Sequence, residues 1–252
     1  MLSREDKIRL RIQLWLSGAL IPVSYYSAIA WMKFVRRYRM PMLREVRREF
    51  RELHRAGEGP LVICCNHLTA VDSLLIMWAL APGWKCFLHP SIMPWNLPDK
   101  TNFSGNIYLR VMCYVGRCLP VVRRGSREEL KRVMDKVQVL LGRGNSILIF
   151  PEGGRSRIKR VDTENFSYGV GSILQASPNA SVLCVFFRGR QQKDFSNLPA
   201  RGDEFYLDLQ MIAPRSTDSG LRGARDISTQ IVHALAAMEQ VYFGTDASVA
   251  RE

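Results

Sequence analysis

"LVICCNHLTAVDSLLIMWAL", residues 61–80, decides the architecture. Its first six residues form an apolar run closed by Asn66, the pattern of a strand buried on both faces. A second apolar run, Asp72 to Leu80, reads as a helix. The alternation continues along the chain. "WKCFLH" (84–89) and "CLPVV" (118–122) read as strands. Ser126 and Glu129 make an S-x-x-E capping box. Behind it Leu130, Val133, Met134, Val137, Leu140 and Leu141 share one helical face, and Gly142 and Gly144 stop the helix. "SILIF" (146–150) and "SVLCVFF" (181–187) are further buried strands. "EFYLDLQMIA" (204–213) alternates, with Phe205, Leu207, Leu209 and Met211 on one side, as an edge strand does. A last helix, 225–242, aligns Ile227, Ile231, Leu235 and Met238. Strand–helix alternation predicts an α/β fold: a single layered domain with a mainly parallel, mixed sheet flanked by helices.

The chain has 252 residues, enough to bury a core, and 47% of them are hydrophobic, far too many for a disordered chain. Its 36 Lys and Arg against 23 Asp and Glu give a net charge of +13, which favours anionic partners. Charge alone also fits nucleic acid, but no nucleic-acid module is recognisable, so nucleic acid is not expected as a partner. The six cysteines (Cys64, Cys65, Cys86, Cys113, Cys118 and Cys184) contain no C-x-x-C pair and lie mostly in apolar runs. That usage predicts a reducing, cytosol-facing compartment and no metal site.

From Ile12 to Met32 the chain carries no charge. The segment lacks the features of a secretory signal, and its length suffices for one membrane span. Pro22 and Gly18 interrupt it, and Trp15, Tyr25, Tyr26 and Trp31 are residues of the lipid–water interface. Lys7, Arg9 and Arg11 precede it; Lys33, Arg36, Arg37 and Arg39 follow it. Cations at both ends favour a segment that dips in and returns. The expectation is a membrane-associated helical hairpin or in-plane anchor; a single span and a soluble helix pair are the alternatives. The stretch after Pro41 reads as a strongly basic helix that would lie against anionic headgroups.

Three stretches carry candidate chemistry. His67, just past the first strand, has Asp72 five positions on, a carboxylate able to fix an imidazole tautomer and stabilise the imidazolium. Alone, this spacing fits a structural histidine equally well. "FPEGGRSR" (150–157) follows another strand: Gly153 and Gly154 let backbone approach a ligand, and Arg155 and Arg157 offer phosphate-binding forks. Without a partner it is also an ordinary charged turn. "VGRCLPVVRRGS" (115–126) places Arg123 and Arg124 at the end of a third strand, where surface charges are common. Ligands of parallel sheets bind beyond the carboxyl ends of strands, so all three stretches can converge on one cleft. A base beside anion-binding groups suits acyl transfer to a phosphorylated alcohol.

"NHLTAVD", "GRCLPVVR", "FPEGGRS" and "SVLCVFFRG" resemble, in order, the four motifs of the glycerolipid acyltransferase family, typified by bacterial 1-acylglycerol-3-phosphate acyltransferase. The resemblance covers roughly residues 55–215. It implies two regions, a membrane-anchoring basic helical segment (1–50) and an α/β acyltransferase domain (51–252). It implies transfer of a fatty acyl group from a CoA or acyl-carrier-protein thioester to the free hydroxyl of a lysolipid. The modal acceptor is 1-acylglycerol-3-phosphate, which gives phosphatidic acid. His67 would be the general base of the H-x4-D motif and Asp72 its orienting carboxylate. Arg123 would hold the acceptor phosphate, with Glu152, Gly153, Gly154 and Arg155 in the acceptor site. Neither cofactor nor metal is implied beyond the thioester co-substrate. The implied place is the cytoplasmic face of the cell inner membrane, with peripheral or monotopic attachment to anionic phospholipid. Three departures bear on the acceptor. Gly154 stands where threonine is common, Cys184 where proline is usual, and His89 where many members carry lysine. Lyso-ornithine lipid therefore stays open as an acceptor, as does a catalytically silent, lipid- or carrier-binding homologue.

Overall fold

A computed structural model describes residues 2–57, 59–103, 105–122 and 125–249 of the chain. Five strands form one sheet: β1 (Leu61–Cys65), β2 (Trp95–Asn96), β3 (Ile147–Ile149), β4 (Ser181–Gly189) and β5 (Phe205–Ile212). Their order is β2-β3-β1-β4-β5, parallel throughout except for β5, which runs antiparallel to β4. The helices are α1 (Arg4–Ala30), α2 (Leu43–Ala56), α3 (Asp72–Leu80), α4 (Gly83–Leu88), α5 (Ile107–Val115), α6 (Arg127–Leu141), α7 (Gly169–Ala176) and α8 (Gly220–Val249). This is the mainly parallel, mixed α/β sheet expected from the alternation of apolar runs.

The pleat of β1 divides the core. Val62 and Cys64 face a cluster with Ile147, Val182, Phe186 and residues of α6, α7 and α8. Leu61, Ile63 and Cys65 face a second cluster with Val185, Phe187, α3 and Val46 and Phe50 of α2. A boundary between residues 50 and 51 therefore falls inside α2, whose apolar face belongs to the same core as the sheet.

Two expected strands differ. Residues 84–89 are largely helical, as α4. A short apolar run has no period of its own, and here Pro82 sets the entry while only Gly83 and Cys86, one turn apart, are buried. Residues 118–122 are extended but touch the sheet only through isolated parallel bridges, Asn96 with Cys118 and Asp99 with Val121. The Leu119 N–H donates to the Asn96 carbonyl at 2.8 Å and the Val121 N–H to the Pro98 carbonyl at 2.8 Å. This segment thus runs outside β2 towards the same edge of the sheet. The expected capping box on α6 forms, with Ser126 and Glu129 each satisfying the other's backbone N–H.

The apolar N-terminal run does not fold back into a hairpin. It is one helix through Pro22, continued by a π-helical turn at Trp31–Val35. The inner side of α1 is pinned along its length. The Gln13 amide donates to the carbonyls of Tyr114 (3.1 Å) and Cys118 (3.0 Å), Asp6 pairs with Arg132 and Lys136, and the Tyr25 hydroxyl donates to the Ala81 carbonyl. Among the described residues, no helix is long and apolar enough to cross a membrane.

Candidate active site

At the carboxyl end of β1 the Asn66 side chain takes over from the backbone. Its amide donates to the Phe187 carbonyl at 2.9 Å and its oxygen accepts from the Phe187 N–H at 2.8 Å. The side chain thereby mimics one more residue of the β1–β4 ladder and releases the main chain to turn. Asn66→Ala leaves both buried Phe187 groups unpaired, so a loss of about 2 kcal/mol is expected in denaturant unfolding.

The turn delivers His67 to Asp72. Nδ1 of His67 lies 3.0 Å from Oδ2 of Asp72, and the same Oδ2 accepts from the N–H groups of Leu68 (2.7 Å) and Thr69 (2.8 Å). Oδ1 accepts from the Thr69 hydroxyl. Asp72 is 1% exposed, so these donors take the place of its hydration. Two backbone N–H groups can only donate, which requires Oδ2 to be an acceptor. Nδ1 must then carry the proton in the neutral imidazole, and Nε2 is left with the basic lone pair. The ring stacks on Phe150, centroids 4.0 Å apart and planes 17° from parallel, which fixes its plane.

The turn after β3 is tied to the turn after β1. The His67 N–H donates to Oε1 of Glu152 at 3.2 Å, and the His67 carbonyl accepts from the Ser156 N–H at 2.8 Å. The Asp162 N–H donates to the other Glu152 oxygen at 3.4 Å. Burial pushes the Glu152 carboxyl up to about 7, against the opposing pull of these N–H donors and of Ser156. Gly153 has a φ of 68°, the left-handed conformation that glycine adopts without strain, and its N–H closes the turn by donating to the Phe150 carbonyl. That donor is spent within the turn.

Arg155 reaches across to a third loop, where its Nη1 donates to the Ser196 carbonyl (2.9 Å) and to Oδ1 of Asn197 (2.7 Å). The Ser196 N–H donates to the Leu68 carbonyl at 3.1 Å and the Ala70 N–H to the Asn197 carbonyl at 3.2 Å. Three loops from the ends of β1, β3 and β4 are knitted around His67. Arg123 lies outside the described residues, although the 118–122 segment that leads to it runs to this same edge. Cys64 and Cys65 lie directly below. Burial holds both thiols well above their ordinary range, Asp72 and Glu152 adding to this at Cys65, so neither is a nucleophile near neutral pH.

The sequence pattern singled out His67, Asp72, Arg123, Glu152, Gly153, Gly154 and Arg155, and of these the fold brings His67, Asp72, Glu152 and Gly153 together. It passed over Thr69, Asn66, Ser156 and the 196–197 loop. Thr69 was within reach: T-x-x-D ahead of an apolar run is a capping-box spacing, and Asp72 does reach back to the Thr69 N–H. The contacts of Ser196 and Asn197 span more than forty positions from Arg155. No local pattern marks them.

A family model described as Acyltransferase matches residues 44–188, more than half of the chain and a span that includes His67, Asp72 and Glu152. Comparison with curated proteins gives no match. Among solved structures, the chain is similar to the 1-acyl-sn-glycerophosphate (LPA) acyltransferase PlsC from Thermotoga maritima. The identity is 14%, with 92% of this chain and 97% of that chain covered and a TM-score of 0.43.

Proposed function

Since this chain belongs to the acyltransferase family, we propose that it transfers a fatty acyl group from a CoA or acyl-carrier-protein thioester to the free hydroxyl of a lysolipid. The acceptor in this reading is 1-acylglycerol-3-phosphate and the product phosphatidic acid. The observation that carries the chemistry is the His67–Asp72 pair. Asp72, buried and anchored by backbone donors, holds Nδ1 protonated and leaves Nε2 to accept a proton. Nε2 removes the proton of the acceptor hydroxyl as its oxygen attacks the thioester carbonyl. The new C–O bond forms, the tetrahedral centre collapses, and the C–S bond breaks. The departing thiolate then takes the proton back from the imidazolium, which the Asp72 carboxylate stabilises meanwhile. Arg123 is the expected ligand of the acceptor phosphate, and Arg155 supports it by holding the 196–197 loop against the site.

In this reading the enzyme works docked on an anionic leaflet at the cytoplasmic face of the cell inner membrane. Support comes from α1, which exposes an apolar stripe where a helix facing water carries polar residues. Its buried side mixes Asp6, Gln13 and Ser17 with Leu10, Ile21 and Tyr25, whereas Ile8, Ile12, Trp15, Val23 and Tyr26 are exposed, Trp15 by 72% and Val23 by 66%. The exposed positions follow one another by three, four or eight residues, so they make a single stripe. Trp15→Glu combined with Val23→Glu should leave thermal unfolding unchanged and lower cosedimentation with phosphatidylglycerol vesicles roughly tenfold.

The direct test offers the purified full chain both donors with a panel of lysolipids and reads products by mass spectrometry. A diacyl lipid formed only when a lysolipid is present is the expected result. Thioester loss at an equal rate without acceptor would mean hydrolysis instead, and binding without turnover would mean a silent homologue.

A further inference from the structure

Helix α5 reads IYLRVMCYV, yet only Cys113 in it is buried. Ile107, Tyr108, Val111 and Met112 are exposed by 62%, 78%, 54% and 61%. A helix apolar on nearly every side is at rest in a protein core or in hydrocarbon, not in water. It packs against the buried side of α1, where the Gln13 amide donates to the Tyr114 carbonyl.

Between α5, α6 and the 118–122 segment opens a cleft of about 830 Å3, within the range of small-molecule sites. Its walls include Val111, Leu119 and Val133. Lys100, Arg110, Arg132 and Lys136 supply four cations around it. Against these stand Glu129 in the cleft and Asp6, which pairs with both Arg132 and Lys136, so among the described residues positive charge is in excess. Among the described residues, neither His67 nor Asp72 lines the cleft.

We propose that this cleft binds an anionic glycerophospholipid drawn from the leaflet in which α5 lies, with an acyl chain along the apolar walls and the phosphate among the cations. The inference rests on the leaflet-docked reading above. Cations beside apolar walls match a single ligand that joins a phosphate to an acyl chain. Ile107 and Val111 of the exposed apolar helix α5 line the cleft, which matches delivery from a membrane.

The test uses the full chain and a phosphatidylglycerol with a photoactivatable diazirine in its acyl chain, presented in vesicles and separately in mild-detergent micelles. Adducts are mapped by mass spectrometry. They should concentrate in residues 107–122 and 127–136. Val111→Trp, which fills the cleft from an exposed position, should lower those adducts roughly tenfold without changing vesicle sedimentation. Lys100→Glu with Arg110→Glu should lower them by about the same factor in micelles. Labelling that Val111→Trp leaves untouched overturns the proposal, since the lipid would then touch only the outside of α5. Labelling displaced by acyl-CoA but not by unlabelled phosphatidylglycerol overturns it in favour of the donor. The two readings fail separately. Sedimentation without adducts in the cleft sinks this proposal alone, whereas cleft adducts from micelles without sedimentation keep the lipid site but overturn its filling from a leaflet, together with the leaflet-docked reading.

Discussion

Replacing His67 with alanine should lower kcat for acyl transfer roughly a thousandfold, the usual worth of a positioned general base. The fold should survive. The contacts that knit His67 to the neighbouring turns are backbone ones, its N–H to Glu152 and its carbonyl to the Ser156 N–H, and alanine keeps both. What is lost is the ring, its stacking on Phe150 and its hydrogen bond to Asp72, whose Oδ2 keeps two backbone donors, so unfolding should shift by no more than about 1 kcal/mol. Asp72→Asn should be comparably inactive for a different reason, and also less stable. The amide can offer an oxygen to the Leu68 and Thr69 N–H groups and donate to the Thr69 hydroxyl, but these bonds lose the charge of the carboxylate, and the charge that balances the imidazolium is gone. Thioester consumption in the presence of lysolipid, with thermal unfolding alongside, separates the two effects. Either variant turning over at a tenth of the wild-type rate or better would remove the pair from the mechanism.

The layered α/β sheet was legible because its decisive strands are long apolar runs buried on both faces, and because α6 announces itself by a capping box and a periodic face. What was not legible is instructive. Residues 84–89 and 118–122 are short apolar runs, which carry no period to tell helix from strand; packing decided both. The run from Ile12 to Met32 was read as broken by Gly18 and Pro22. A proline removes one hydrogen bond from a helix, and tertiary contacts spaced from Asp6 to Tyr25 hold this helix together around that loss. Its exposed apolar stripe could not be read beforehand, since α1 carries apolar residues on both sides and only the fold says which side is covered. In the site, residues joined by local spacing were found, as His67 and Asp72 were. Those joined through the sheet, such as Asn66 with Phe187 or Arg155 with Asn197, depend on which strands neighbour one another.

Glu152 makes the stability of the site depend on pH, with a sign opposite to that of most carboxylates. Burial raises its carboxyl to about 7 from an ordinary value of 4.5, so between these limits the folded chain holds a proton that the unfolded chain has released. Stability from this group is therefore fully present below about 4.5, falls as pH rises, and is gone above about 7. The shift sets a ceiling near ~3 kcal/mol, and partial contact with water brings the expected fall to about 2 kcal/mol. Glu152→Gln keeps an oxygen for the His67 N–H, gives up the longer contact with the Asp162 N–H, and cannot titrate. Its unfolding free energy, measured by denaturant at intervals between pH 5 and 8, should lack the fall assigned to Glu152, and the difference between the two proteins should move towards the glutamine as pH rises. Glu152→Ala leaves both N–H groups without an acceptor and should be the least stable of the three at every pH. If wild type and Glu152→Gln trace parallel profiles, the carboxyl titrates in its ordinary range, and burial is not what governs its proton.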